Sequence, residues 1–432
     1  MSKNIFRIAV FDPALHASSG HHFALLQSLK EREADLTHID DVKYFCHENM
    51  RDRLEKEAGA HFPTLTPFFN TDFYRYNCQR PSLIEVNSYI AHLSREYLNA
   101  FKVLLGSNAA EQKERERGSE GKTIVLYPAM QWEHLLALYL AIAQYPDALR
   151  PGVISHKICM MYNPGRSHTG SIISSREWVG YRLALRALES FPAINFYASD
   201  YELVEHFSCL IGDSRKIGVH PQYLFPLNVG ASVSDKKIDI NQSGCKIGLY
   251  FGDAKADKGF LRLPELTREL LECVPENSEV IIQYSTHSTC GRIAAVEAQL
   301  RIIAKRDFRL KLYPSHIPND QLFSMLRALD IFVFNYCSKA YAEKSSGFVW
   351  LLSGLAVDCT LFFAHDGWIY REAQRLGLQT HFTKNGSVSS SVKVFFINGR
   401  TLGRRSKISL RADVNTAYKE LVFSDFVRWL TE

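Results

Sequence analysis

Short apolar runs alternate with amphipathic helical stretches along most of the chain, and that alternation predicts strand–helix–strand units of parallel sheet. Ile5 to Phe11 reads as a first strand, followed by the loop DPALHASSGHH and a helical run, FALLQSLKERE, with Phe23, Leu25, Leu26 and Leu29 on one apolar side. From Asp41 to Arg80 the periodicity fades while Phe62, Pro63, Pro67, Phe68, Phe69, Phe73, Tyr74 and Tyr76 gather. That segment reads as an irregular cover over the core; an acceptor pocket or a lipid-facing surface is the functional alternative. A long helix follows from Ser82 to Leu105, and then a charged connector, AAEQKERERGSEGK. Strands at Thr123 to Tyr127, Ile154 to Met161 and Ile194 to Tyr197 then alternate with helices at Trp132 to Gln144 and Arg176 to Glu189. SDYELVEHFSCLIGDSRKIGVHPQ carries a helix, a Gly212 stop and a short strand from Ile217 to His220.

NVGASVSDKKIDINQSG is poor in large apolar residues and reads as a linker. A second series follows it, with strands at Lys246 to Phe251, Glu279 to Tyr284, Phe308 to Tyr313, Ile331 to Phe334 and Cys359 to Phe363. Helices at Leu263 to Cys273, Arg292 to Ala304 and Asp320 to Leu329 separate the first of these. A terminal amphipathic helix, Val414 to Leu430, lacks a partner inside the second series. The predicted organisation is a first α/β domain over residues 1–229, a second over 230–410, and a tail, 411–432, packing back toward the first. Two such halves imply a cleft.

Composition changes this picture little. The 432 residues, 46% hydrophobic and 22% charged, suit ordinary globular domains. No signal-peptide pattern and no long apolar span are visible, so the expectation is a cytoplasmic protein, with peripheral contact to the inner face of a membrane left open. The nine cysteines show no CxxC pair and no zinc spacing; they read as reduced thiols, with no metal site. A net charge of +5 favours anionic ligands, but no Lys/Arg patch with interleaved aromatics argues for nucleic acid.

Two loops carry candidate chemistry. After the strand ending at Phe251 comes GDAKADKGF: Gly252 allows a tight turn, Lys255 adds a cation, and Lys258 with Gly259 opens the next helix. After Ile331 to Phe334 the loop ends in Lys344, Ser345, Ser346 and Gly347 before the run Phe348 to Leu352. A helix cap is the simpler reading of either serine. Neighbouring parallel strands would bring both loops to one edge, where lysines, hydroxyls and free N–H groups suit a pyrophosphate. In the first half, His16, Gly20, His21 and His22 follow the first strand and so face the ligand edge, although GxGxxG is absent; an exposed polar loop is the alternative.

With these motifs in order, the chain resembles the GT-B glycosyltransferases, and among them the retaining family 4. YFGDAKADKGF looks like that family's pyrophosphate loop, with Lys258 at its lysine; LYPSHIPNDQLFSMLRALDIFVFNYC is similar to the stretch around the nucleotide base. AYAEKSSGFVWLLSGLAV falls where the family has Glu-x7-Glu. The sequence departs from the pattern at Asp253, where an arginine is usual, and at Leu351 or Leu352, where the second glutamate belongs; the first glutamate is met by Glu343 or Lys344. Tyr162-Asn163 stands in place of a His-Asp pair. The resemblance implies two Rossmann-like doubly wound α/β domains facing each other across a cleft, and a retaining, metal-independent transferase. It would use a nucleotide-sugar as substrate, with no cofactor, and a glycan or lipid-linked sugar as acceptor. It implies roles for His21, Asn163 and Glu343 in catalysis, and for Gly20, Gly252, Lys255, Lys258, Lys344, Ser345, Ser346 and Gly347 in donor binding. A degenerate member that binds sugar nucleotide or glycan as a partner subunit is the alternative; a sugar-nucleotide epimerase is disfavoured because no convincing carboxylate pair is found.

Overall fold

In the computed structural model the two series of apolar runs form two parallel sheets, each with its own hydrophobic core. The structure describes residues 6–16, 20–31, 39–51, 65–73, 81–106, 122–150, 152–166, 171–199, 201–212, 216–220, 244–256, 258–286, 291–335, 359–365, 368–375, 380–382, 388–402 and 426–432. The chain divides into two units, Met1–Tyr223 with Val422–Glu432, and Leu224–Leu421. The expected linker and the loop holding Glu343, Lys344, Ser345, Ser346 and Gly347 lie outside the described residues.

The first unit runs β1 (Phe6–Asp12), α1 (Gly20–Glu31), β2 (Ile39–His47), β3 (Leu65–Phe69), α2 (Leu83–Leu105), β4 (Lys122–Tyr127), α3 (Trp132–Gln144), β5 (Ile154–Met160), α4 (Ser175–Leu188), β6 (Ile194–Ala198), α5 (Tyr201–Ser208) and β7 (Gly218–Val219). Its seven strands lie in the order β3-β2-β1-β4-β5-β6-β7, so the strand order reverses direction at β1 and β4. Helix α2 starts at Ser82 because a reciprocal capping box forms there: the Ser82 side chain accepts from the Glu85 N–H, and the Glu85 carboxylate accepts from the Ser82 N–H at 2.7 Å. Its inner face, including Tyr89, Leu93, Tyr97 and Phe101, closes over an aromatic core centred on Phe11, whose ring lies 4.9 Å from Phe45 and 5.7 Å from Tyr127.

Two sequence readings are corrected here. Strands β2 and β3 occupy the segment expected to be irregular. They were hidden because Asp41 and Lys43 sit at the surface end of β2 while only Tyr44, Phe45 and Cys46 are deeply buried, and in β3 only Phe69 is; partial burial leaves no clean alternation. Helix α1 begins at Gly20 rather than Phe23, so Gly20, His21 and His22 belong to its first turn and not to the loop.

The second unit contains β8 (Lys246–Asp253), α6 (Leu263–Cys273), β9 (Glu279–Ser285), α7 (Gly291–Arg306), β10 (Leu310–Tyr313), α8 (Asn319–Arg327), β11 (Ile331–Phe334), β12 (Thr360–Phe363), α9 (Trp368–Arg375), β13 (Thr380–Phe382) and α10 (Val388–Leu402). The order β10-β9-β8-β11-β12-β13 repeats that of the first six strands of the first unit, with the switch between β8 and β11. Of the terminal helix expected from Val414, residues 426–432 are described, and 426–431 are helical. They belong to the first unit: the Lys157 ammonium donates to the Trp429 carbonyl and lies 4.9 Å from the Trp429 ring centre, and Tyr197 meets that ring edge-on at 5.0 Å.

Candidate functional site

At the switch point of the second unit, the turn after β8 is folded by two glycines. Gly252 has φ 117°, and its N–H donates to the Gln283 side chain at 2.9 Å; that amide in turn donates to the Ser315 carbonyl at 2.9 Å. Gly259 has φ 80°, and a Cβ built on it would stand 2.0 Å from the carbonyl oxygen of Asn335, the residue just after β11. Only glycine permits the first loop to press so closely on the start of the second. Phe260, fully buried beneath the turn, packs its ring 5.3 Å from Tyr250 and 5.2 Å from Tyr284 and holds the loop down.

The geometry brings Gly252 and Lys258 together: the Lys258 ammonium lies 3.6 Å from the point a Gly252 Cβ would occupy. Lys258 does not sit on the first turn of α6, as the sequence suggests. The left-handed Gly259 and a 3-10 turn, Phe260–Arg262, intervene, and Pro264 opens the α-helix proper. Lys255 is exposed and points its ammonium to Asp253 at 3.7 Å, while Asp253 also accepts from the Ser285 hydroxyl at 2.8 Å. The aspartate that replaces the expected arginine is therefore a loop-building residue, and Lys255 is the cation beside it.

Next to this turn lies a cavity of about 210 Å³ between α6, the ends of β11 and β12 and the start of α10. Arg262, Glu265, Glu269, Asn335 and His365 form its polar lining. Partial burial and, secondarily, the Arg262 guanidinium hold the His365 imidazole below its ordinary range. The sequence reading passed over Arg262, Asn335 and His365. A signal existed for two of them: Asn335 is the first polar residue after β11, and His365 follows β12 by two, both at strand C-terminal ends where ligand loops begin.

The corresponding edge of the first unit is filled differently. His22 turns inward and its Nδ1 meets the Asp12 carboxylate at 2.9 Å, both side chains almost fully buried. His16 is exposed and its Nδ1 donates to the Ala14 carbonyl at 2.8 Å. Phe73 stacks face to face on His134 at 4.0 Å, and burial pushes the His134 imidazole down to about 3. That neutral ring accepts from the Gln131 N–H through Nδ1 at 3.1 Å and donates through Nε2 to Tyr89 at 2.8 Å. Asn163 is engaged with its own loop: its carbonyl oxygen accepts from the N–H groups of Gly165 and Arg166, each at 2.8 Å, and its amide donates to the Arg166 carbonyl at 2.8 Å. Gly20 and His21 lie beside this edge in the first turn of α1.

No protein-family model matches the sequence, and no curated protein matches it. Solved structures do match over nearly the whole chain. An α,α-trehalose-phosphate synthase (UDP-forming) from Burkholderia xenovorans, in complex with glucose-6-phosphate, superposes with a TM-score of 0.60 at 9% identity, covering 98% of each chain. The N-terminal domain of Candida albicans trehalose-6-phosphate phosphatase gives 0.58 at 12% identity, over 100% of this chain and 95% of that one. Anabaena Alr3699/HepE in complex with UDP and glucose gives 0.53 at 14% identity, over 98% and 97%. The fold is GT-B. At such identities the likeness speaks for the GT-B fold and does not single out family 4 within it.

Proposed function

We propose that this GT-B protein is a glycosyltransferase whose second unit binds a nucleotide-sugar donor through its diphosphate. The observation that carries the reading is the glycine-folded turn at the β8–β11 switch point, which sets Lys258 over Gly252 and presses Gly259 on Asn335. In the transfer step the bond from the sugar C1 to the diphosphate oxygen breaks, and the leaving diphosphate gains negative charge. Lys258, with Lys255 and Arg262 nearby along the same turn, supplies positive charge for that group, so the reaction needs no divalent ion. Lys344, Ser345, Ser346 and the Gly347 N–H, from the loop after β11, complete the donor site in this reading. The new bond forms from C1 to a hydroxyl oxygen of a glycan or lipid-linked acceptor, with retention of configuration, and the hydroxyl proton passes to the departing diphosphate oxygen. His21 and Asn163 belong to the acceptor side of this proposal, and Glu343 to the sugar side. The setting is surface polysaccharide or glycoconjugate synthesis on the cytoplasmic face of a membrane. Because one structural neighbour was solved with UDP and glucose, uridine diphosphate and UDP-glucose are the first ligands to test.

Binding without turnover is favoured by one feature, the commitment of Asp253 to Ser285 and Lys255 where a second phosphate-binding cation would serve. Two measurements separate the readings. Calorimetric titration with uridine, guanosine and adenosine diphosphates should show binding that Lys258→Ala weakens by roughly 10- to 150-fold, the worth of one charge-assisted hydrogen bond, with the melting temperature nearly unchanged. Equal affinity in the variant removes Lys258 from the site. Release of nucleoside diphosphate from a donor panel then distinguishes a transferase from a binding protein.

A further inference from the structure

The cavity of about 210 Å³ in the second unit shares its rim with the switch-point turn. The Arg262 N–H donates to the Gly259 carbonyl at 3.1 Å, and Gly259 in turn presses on Asn335, so two lining residues are fixed by the same turn that carries Lys258. Arg262, Glu265, Leu266 and Glu269 recur at helical spacing and set two carboxylates on one wall. Glu265 is exposed and Glu269 half-buried. The Glu269 carboxylate accepts from the hydroxyl of Ser389, a buried residue in the first turn of α10, and that bond ties α6 to α10 across the cavity. Leu266 and Val388, both almost fully buried, add an apolar strip with Ala364.

The charge of this lining is negative away from the turn. Among the described residues neither Glu265 nor Glu269 lies within salt-bridge distance of a cation. The one guanidinium, Arg262, stands at the diphosphate end, and partial burial, with the Arg262 charge second, keeps the His365 imidazole toward its neutral form. Carboxylates accept hydrogen bonds and cannot donate them, so a ligand that satisfies this wall must bring donors. Sugar hydroxyls do so in any rotation, and the C–H groups of a sugar ring suit the strip of Leu266, Ala364 and Val388. A carboxylate on the ligand would instead meet two groups of its own sign. We propose that this cavity receives the sugar of the donor and that Glu265 and Glu269 select a neutral hexose over a uronic acid. The inference rests on the donor reading given above and deepens it. A nucleoside fits less well, because stacking a base calls for an aromatic face, and no phenylalanine, tyrosine or tryptophan is among the described lining residues.

The test is calorimetric titration of the full chain with uridine diphosphate, UDP-glucose and UDP-glucuronic acid, and in parallel with guanosine diphosphate, GDP-mannose and GDP-mannuronic acid. In the series whose base is accepted, the neutral sugar should bind at least as tightly as the free diphosphate, and the uronic acid about tenfold more weakly than the neutral sugar. Glu265→Gln and Glu269→Gln should each narrow that gap by roughly three- to tenfold, through tighter binding of the uronic acid, and leave the free diphosphate unchanged. Both substitutions keep the size of the side chain, and an amide oxygen still accepts from the Ser389 hydroxyl, so the melting temperature should match the parent. Equal affinity for neutral and acidic sugars in the parent, or a gap that neither substitution narrows, overturns the proposal. So does an equal change for the free diphosphate and its sugars, which would put the nucleoside in the cavity. In each of those cases Lys258-dependent binding of the diphosphate still stands, and the donor reading with it. Absence of Lys258-dependent binding in both series overturns the two together.

Discussion

The two units share a strand order but not an interior. Among the described residues, every buried charged or imidazole side chain belongs to the first unit, including Asp12, His22, Glu96, Glu133, His134, His156 and Lys157. The buried polar groups of the second are hydroxyls and amides, such as Thr267, Gln283, Ser285 and Asn335. Burial without matching charge shifts the first unit's groups toward their neutral forms: His156 falls to about 4, Lys157 to about 8, and Glu133 rises to about 7. The second unit instead keeps its cations at or near the surface and shapes the edge at its switch point with backbone conformation. The interior of the first unit should therefore answer to pH, and the switch-point turn of the second to the addition of a single methyl group.

The largest expected effect tests the second half of that contrast. Gly259→Ala combines a left-handed backbone with a Cβ 2.0 Å from the Asn335 carbonyl, so it should cost about 4 kcal/mol, read as a lower denaturation midpoint of the second unit, with loss of diphosphate binding. A midpoint within error of the parent would mean the two loops are not in contact.

The next effect belongs to the first unit. The Glu133 carboxyl is buried, its Oε2 has no hydrogen-bond partner among the described residues, and its folded value of about 7 exceeds the ordinary 4.5. A raised carboxyl contributes stability that is complete below pH 4.5 and is lost as pH rises to 7, in total about 3 kcal/mol. Glu133→Gln should therefore stabilise the unit by about 2 to 3 kcal/mol at pH 8 and hardly at pH 4. His134 and His156 carry the opposite sign: their folded values of about 3 and about 4 lie below 6.5, so stability present above pH 6.5 is lost on acidification toward those values. With Glu133 removed, that loss should begin near pH 6.5 instead of being offset down to about pH 4.5. Melting temperatures at pH 8, 6 and 4.5 for parent and variant check both limbs.

Asp12→Ala should cost about 2 kcal/mol in urea denaturation, because the buried His22 ring loses its carboxylate acceptor, while Asp12→Asn keeps an acceptor and should recover part of the loss. The smallest effect sharpens the first. At Gly252 an added Cβ meets only the Lys258 ammonium at an ordinary 3.6 Å, so Gly252→Ala should cost about 1 to 2 kcal/mol from its φ of 117° alone. Equal losses at Gly252 and Gly259 would show that backbone conformation, and not the contact with Asn335, governs the turn.

What the sequence determined by itself was whatever depends on local periodicity. Trp132–Gln144, Leu263–Cys273 and Ile331–Phe334 are read off with their observed ends, because a deeply buried strand or helix carries its environment in its own apolar pattern. The turn after β8 was legible for the same reason: Gly252, Lys258 and Gly259 announce a tight, cationic loop without reference to anything distant. Tertiary structure decided the rest. Strand β2 exists because β1 offers it a parallel partner, and β3 because β2 does, not because their half-buried residues alternate. His22 became a buried partner of Asp12 rather than a ligand-facing loop residue because α1 starts at Gly20 and rotates that side chain inward. Arg262, Asn335 and His365 meet around one cavity although they are far apart in the chain, and no short-range pattern records such a meeting. The physical reason is common to these cases: local propensity depends on near neighbours, whereas burial, pairing and the position of a charge depend on surfaces that only the folded sheet brings together.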